Sequence, residues 1–502
     1  MMRRLLKHLS LFILYGSLGV LGTAIGLYVY ALEQRPDLKP WHMADLDQEF
    51  EAKDSQQGFD FADYLDLEDR LFEQLNTEVY DRVPVSERLR FQRYAAGSLA
   101  DPRAQSPDWN RSFEMPRDDP RGAVLLLHGL SDSPYSMRAL AELLHDAGFW
   151  CLGLRLPGHG TAPSGLVEAT WQDWAAATRI AAHHLQQRVG PDAPFFVVGY
   201  SNGAALAVEY SLSVLEGKAL PRPAGLILLS PAIGVTKIAA FAVWQARMGH
   251  LLGLEKLAWQ DLLPEYDPYK YNSFAVNAGD QIYRLTSSIA ARMDALNPGT
   301  GVKDFPAVLA FLSVVDATIP PQTLIDRLFS KLAPQDYALV LFDINREADA
   351  QPLLVSDPGP LTARLLADPN LGFDLTLLTN LSPDSIALVA IHKRAQQSET
   401  SRKPLALQWP MGVISLAHVA LPFPPDDPVY GSEADSEDTR LHLGRLEIRG
   451  ERGLLLIPPG QQLRLRHNPF FGYLAERVLE FVDARTATVK LQDVSQTQIL
   501  TP

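Results

Sequence analysis

Apolar residues recur along this chain in three different rhythms. Near the N-terminus, residues 9–32 (LSLFILYGSLGVLGTAIGLYVYAL) run without a formal charge, behind Arg3, Arg4, Lys7 and His8. About twenty apolar residues suffice to cross a bilayer, so residues 1–32 are expected to form a transmembrane helix. The run is longer than the roughly 7–15 apolar residues of a cleaved leader, so an uncleaved anchor is expected. Its basic flank would stay cytoplasmic, with Glu33 and Asp37 on the far side. That makes a single-pass protein of the inner membrane with an exported, periplasmic catalytic domain.

The second rhythm is helical. In residues 59–75 (FDFADYLDLEDRLFEQL), Leu65, Leu67, Leu71, Phe72 and Leu75 recur at near-helical spacing, predicting an amphipathic helix inside a charged, proline-rich linker over residues 33–121. The third is an alternation. Short continuous apolar runs at 122–127 (GAVLLL), 149–156 (FWCLGLRL), 195–198 (FFVV) and 225–229 (GLILL) are separated by helix-like segments at 136–147, 170–189 and 202–215. Strands apolar on both faces, each followed by a helix, predict an α/β fold with a mostly parallel central sheet flanked by helices. Later strands are expected at 305–315, 337–344, 374–380, 385–392 and 411–417, with a closing helix at 470–482.

Composition narrows the function classes. The net charge of −14 argues against a nucleic-acid partner, which would need a basic face. Cys151 is the single cysteine, which excludes an intrachain disulfide and a cysteine-based zinc site. No metal or cofactor is required by the chemistry read below.

That chemistry centres on Val198-Gly199-Tyr200-Ser201-Asn202-Gly203-Ala204, where an apolar strand runs through G-x-S-x-G into helix-forming residues. A serine hydroxyl is a weak nucleophile unless a base reaches it, and a tight strand-to-helix turn holds it clear of the sheet. Ser201 is the candidate nucleophile. The strand at 122–127 ends in His128-Gly129-Leu130-Ser131-Asp132-Ser133-Pro134. A glycine turn at a strand's carboxyl end exposes backbone N–H groups, so the Leu130 amide is expected opposite the Asn202 amide as an oxyanion hole. His128 and His159 read as loop-bracing residues, and Thr170 and Asp173 as helix caps.

The combination HGLSDSPYSMRALAELLHDAGFWCLGLRLPGHGTAPSG, TWQDW and GYSNG resembles the α/β-hydrolase superfamily, in particular its bacterial monoacylglycerol lipase and carboxylesterase branch. The resemblance is continuous over residues 122–231 and returns near Asp316 and His418. It implies a serine hydrolase working through an acyl-enzyme, with Ser201 as nucleophile and the Leu130 and Asn202 amides as oxyanion donors. Asn202 and Ala204 depart from the methionine and glycine that the branch often has there. The acid and base should follow in the order Ser, Asp, His. Asp316 directly follows the strand at 305–315. His418 lies at the end of the apolar run 411–417, and SLAHVA resembles the histidine loop of the same branch. His392 is followed by Lys393, Arg394, Gln396 and Gln397, a solvated hairpin end, so His418 is preferred as base.

The catalytic domain is expected over residues 122–484, with a helical lid at about 235–300, insertions at about 345–410 and 426–468, and a tail at 485–502. Repeated apolar residues at helical spacing in the stretch 235–300 (Phe241, Trp244, Met248, Leu251, Leu252, Leu254, Leu257, Trp259) fit equally the core packing of an ordinary helix and the inner side of the lid that the resemblance places here, closing over an acyl chain. The expected substrate is a small acyl ester or lipid, met at the membrane through the N-terminal helix. A serine aminopeptidase on the same fold is the alternative enzyme, and an inactive membrane-tethered interaction protein the alternative of a different class.

Overall fold

Strands that are apolar on both faces need cover on both faces, and the computed structural model shows how this chain supplies it. The structure describes residues 2–55, 58–234, 255–297, 299–316, 318–348, 350–433, 441–445, 454, 456 and 464–499. The strands are β1 (Phe113–Met115), β2 (Ala123–Leu127), β3 (Trp150–Leu154), β4 (Phe195–Tyr200), β5 (Gly225–Leu229), β6 (Trp259–Asp261), β7 (Phe274–Ala275), β8 (Ala307–Ser313), β9 (Tyr337–Phe342), β10 (Asp374–Asn380), β11 (Ala387–Lys393) and β12 (Thr400–Gln408). Among the described residues, ten of them form one sheet in the order β1-β3-β2-β4-β5-β8-β9-β10-β11-β12, and β6 and β7 form a separate ribbon. Pairing is parallel from β3 to β10 and antiparallel at both ends.

Alternate residues of each central strand enter two different cores. Leu125, Leu127, Val197, Leu226 and Leu228 pack on one face with the helices Trp171–Val189, Asn202–Leu215 and Val276–Leu296. Val124, Leu126, Phe196, Val198, Ile227 and Leu229 pack on the other with Arg138–Asp146 and the closing helix Phe471–Ile499. This is the mostly parallel α/β sheet flanked by helices expected from the strand and helix alternation, and it agrees with the α/β-hydrolase fold that the resemblance implies. It brings the carboxyl ends of β2, β4, β5 and β8 to one edge.

The expected transmembrane helix is corrected. Met2–Glu33 is helical, but among the described residues no helix is long and apolar enough to cross a membrane. A single-pass inner-membrane location with a periplasmic domain is therefore not supported.

The segment read as a linker is docked on the hydrolase core. Its helix Phe61–Leu75 is capped by Asp60, whose carboxylate accepts from the Ala62 and Asp63 amides. One face of that helix buries Leu71, Phe72 and Leu75 with Trp41, Tyr80, Tyr94 and Ala162. Another interaction reaches the sheet. Fully buried Arg155, just past β3, meets Glu49 at 2.9 Å and Glu68 at 2.9 Å, and β1 pairs with β3.

Of the insertions, 345–410 supplies β10, β11 and β12 and so extends the sheet. Its outer strand β12 is largely exposed and carries Arg402, Lys403 and Pro404, residues that discourage edge-to-edge pairing. The strand expected at 411–417 does not form. That segment is irregular, held where the Asn345 amide donates to Ile414 O at 2.7 Å and Asn345 Nδ2 to Val413 O at 3.1 Å. The six lid residues from Phe241 to Leu254, and more than half of the insertion expected at 426–468, lie outside the described residues.

Candidate active site

β4 ends at Tyr200 and the next helix begins at Asn202, leaving Ser201 alone in the turn. Its φ of 52° and ψ of −110° lie where residues with a Cβ seldom sit, a strain on the order of 1–3 kcal/mol. Neighbouring backbone holds it there. The Ser201 amide donates to Leu229 O at 2.9 Å, and the Ser201 carbonyl accepts from the amides of Ala204 (3.1 Å), Ala205 (3.2 Å) and Ala232 (3.1 Å). The flanking glycines follow from close approach. A Cβ on Gly199 would lie 2.5 Å from the Ala204 backbone, and one on Gly203 would lie 2.1 Å from Leu127 O and 2.7 Å from His128 O.

That contact seats the helix start against the loop after β2. Because Leu127 is in register with Gly199 on adjacent parallel strands, Leu130 and Asn202 each lie three residues past a matched pair. Backbone N–H groups at a helix start suit developing negative charge. The loop is braced as expected. His128 Nδ1–H donates to Gly129 O at 2.9 Å, and its Nε2 accepts from the Leu156 amide at 3.0 Å. Both ring nitrogens are thus engaged, and burial pushes its pKa well below the ordinary value. His159 Nδ1–H donates to Pro157 O at 3.0 Å, and burial lowers its pKa to about 4. Thr170 and Asp173 form the anticipated capping box of the helix Trp171–Val189.

Asp316 stands three residues beyond β8 and is buried. Its Oδ1 accepts from the Thr318 and Ile319 amides, each at 2.9 Å, which leaves Oδ2 for the 2.7 Å bond with His418 Nδ1. The two residues are 102 apart in sequence, and the intervening insertion lies outward in β10–β12 without separating them. His418 starts a short turn, His418–Ala420, its ring centroid 5.5 Å from that of Tyr200. With Nδ1 bonded to a carboxylate, Nε2 is the nitrogen left to exchange a proton. His392 is elsewhere. It pairs with Thr376 near the amino end of β10, at the sheet edge opposite Ser201, and bonds Thr376 Oγ1 at 2.9 Å.

Two features escaped the sequence reading. One is the ion pair Lys270–Asp132, 2.9 Å, on the loop that follows β2. The other is Arg155, whose guanidinium also donates to His159 O at 3.1 Å, while Glu49 accepts from the Gly158 amide at 2.8 Å. Only an aspartate inside an otherwise neutral loop hinted at the first. Among the described residues no group of histidine, cysteine, aspartate and glutamate is arranged to hold a metal.

Residues 118–343 match the family described as Serine aminopeptidase, S33. A thermostable monoacylglycerol lipase from Bacillus sp. (strain H-257) is 28% identical over 198 residues, which is 39% of this chain and 72% of that protein. Among solved structures, the monoacylglycerol lipase of Paleococcus ferrophilus is 21% identical, with a TM-score of 0.36, covering 46% of this chain and 88% of its own. A soluble variant of the monoglyceride lipase of Saccharomyces cerevisiae is 15% identical, with a TM-score of 0.36, covering 46% and 82%.

Proposed function

The chain carries a serine hydrolase domain of the α/β-hydrolase superfamily, and from that premise we propose that it cleaves acyl esters through a covalent intermediate on Ser201. His418 Nε2 takes the hydroxyl proton, and Asp316 holds the imidazole in one tautomer and stabilises its cation. The alkoxide attacks the ester carbonyl, and the Leu130 and Asn202 amides receive the oxyanion. Collapse expels the alcohol, which takes its proton from His418. Water, activated by the same imidazole, then releases the acid.

The observation that carries this reading is the buried 2.7 Å bond between His418 Nδ1 and Asp316 Oδ2, formed across 102 residues at the edge that bears Ser201. Supporting the ester class is the relative described as a monoacylglycerol lipase. Release of p-nitrophenol from short and medium acyl esters at neutral pH, lost in Ser201→Ala, is expected. No release by the wild type refutes the ester reading.

The family description favours one second reading, an aminopeptidase using the same three side chains. It predicts release of p-nitroaniline from aminoacyl anilides with little turnover of the esters. Side-by-side kcat/KM values for the two substrate series separate the readings.

A further inference from the structure

The peptide that carries the Leu130 N–H is held from its carbonyl side. A trans peptide is planar, so its carbonyl oxygen and its N–H point in opposite directions, and whatever fixes one fixes the other. The carbonyl that shares a peptide with the Leu130 N–H is that of Gly129. It accepts two hydrogen bonds, from His128 Nδ1–H at 2.9 Å and from the Asp132 amide at 3.2 Å. Between Leu130 and Asp132 the chain passes through Ser131 at a φ of 63°, a left-handed conformation that persists where its surroundings impose it.

Those surroundings come from far along the chain. A strap over residues 265–273 crosses the loop: the Tyr271 amide donates to Ser131 O at 2.8 Å, and Lys270 Nζ meets Asp132 Oδ1 at 2.9 Å. The strap is itself pinned. The Arg93 amide donates to Glu265 O at 2.9 Å, Asn110 Nδ2 donates to Pro268 O at 3.0 Å, and the Tyr269 ring stacks on Tyr135 with centroids 3.9 Å apart. Lys270 therefore reaches Asp132 from a fixed backbone. Asp132 is 6% exposed, and a carboxylate so placed is costly without a charged partner. A Cβ on Gly129 would lie 2.5 Å from Asp132 Oδ2 and 2.9 Å from the Tyr200 ring, so Gly129 packs directly on both. Without Lys270 the carboxylate turns toward water, and the packing on Gly129 and the ionic tie between strap and loop are lost together.

We propose that Lys270 and Asp132 are positioning residues for the oxyanion hole: as an ion pair between strap and loop, they hold the Gly129–Leu130 peptide so that the Leu130 N–H is aimed before substrate arrives. The proposal rests on the reading of Leu130 as an oxyanion donor to a substrate attacked by Ser201. Such donors act chiefly in the transition state, where charge gathers on the oxygen, so an amide that loses its aim costs kcat and leaves substrate binding nearly unchanged.

A trifluoromethyl ketone tests that aim. Ser201 Oγ adds to its carbonyl carbon, the hydroxyl proton passes to His418 Nε2, and the carbonyl oxygen becomes an alkoxide in the hole, with no leaving group to expel. Its Ki is compared with kcat and KM for a p-nitrophenyl ester, active sites being counted by a fluorophosphonate taken to completion. In Lys270→Met, kcat per labelled site falls about tenfold, a part of the roughly 10²–10³ that removing a whole donor costs. KM stays, and Ki rises by the same factor. Lys270→Arg keeps the wild-type values of both. Asp132→Asn strands no buried carboxylate, so it does not depend on Lys270→Met folding, and it moves kcat and Ki in the same sense. A merely structural pair would lower only the number of labelled sites. That result overturns the proposal, as does an effect confined to KM or a fall in kcat with Ki unchanged. Failure of the underlying reading is distinct: wild-type protein that takes up neither the ketone nor the fluorophosphonate refutes the catalytic assignment itself.

Discussion

Arg155→Met is the perturbation that most severely tests how the N-terminal segment is held. The guanidinium is fully buried, with Glu49 on Nη1 and Nη2 at 3.0 and 2.9 Å, Glu68 on Nε at 2.9 Å, and His159 O on Nη1 at 3.1 Å. Methionine keeps much of the volume and removes the only guanidinium bonded to both carboxylates among the described residues. Glu68 is then stranded at 3% side-chain exposure. Breaking a buried pair from one side costs about 3–5 kcal/mol, because the remaining charge keeps only the neutral Ser112 amide and hydroxyl as partners. The cost should depend on pH. Burial already raises the Glu68 pKa, and Arg155 is the largest opposing influence; without it the pKa climbs further. Below that pKa the folded state takes up a proton and escapes most of the penalty, so the deficit is greatest near pH 8 and shrinks toward pH 5. Urea unfolding followed by tryptophan fluorescence at both pH values measures this. A deficit under about 1 kcal/mol, or an equal deficit at both pH values, refutes the reasoning. Labelling of Ser201 should slow as well, since Arg155 supports the loop that carries Leu156, whose amide bonds His128.

Three further expectations follow from individual environments. Asn202 is fully buried with neither Nδ2 nor Oδ1 hydrogen-bonded; Asn202→Leu keeps the backbone amide and should raise stability by about 1–2 kcal/mol in thermal melts. His42 is held at a pKa of about 4, first by burial and then by Lys39. Because its folded pKa lies below the unfolded value of 6.5, its contribution is present above pH 6.5 and is lost as pH falls toward 4, at up to about 1.4 kcal/mol per unit. His42→Gln should remove that slope in urea titrations between those limits. Gly203→Ala would force a methyl against Leu127 O at 2.1 Å, and is expected to cost at least about 2 kcal/mol and to abolish fluorophosphonate uptake.

The parts legible in the sequence were those governed by local pattern. Continuous apolar runs marked β2 to β5 because strands covered on both faces carry no alternation, and G-x-S-x-G marked a turn whose glycines answer to backbone contacts. Long-range partners were much less legible. Nothing local to Glu49 or Glu68 says that both converge on Arg155, and Lys270 gives no sign that it meets Asp132. The antiparallel strands β11 and β12 were foreseen only in part, since an exposed edge such as β12 lacks the apolar run that signals a buried strand. The N-terminal helix shows the opposite error. Its uncharged run predicted a membrane span, whereas among the described residues no helix is long and apolar enough to cross a membrane.

The central claim is that Ser201 is served by His418 across the long insertion, and not by His392. Fluorophosphonate labelling of the wild type, Ser201→Ala, His418→Ala and His392→Ala tests it most directly. The account predicts no label on Ser201→Ala, a rate lower by about a thousandfold or more in His418→Ala, and a near wild-type rate in His392→Ala. Normal labelling of His418→Ala, with loss in His392→Ala, would contradict it.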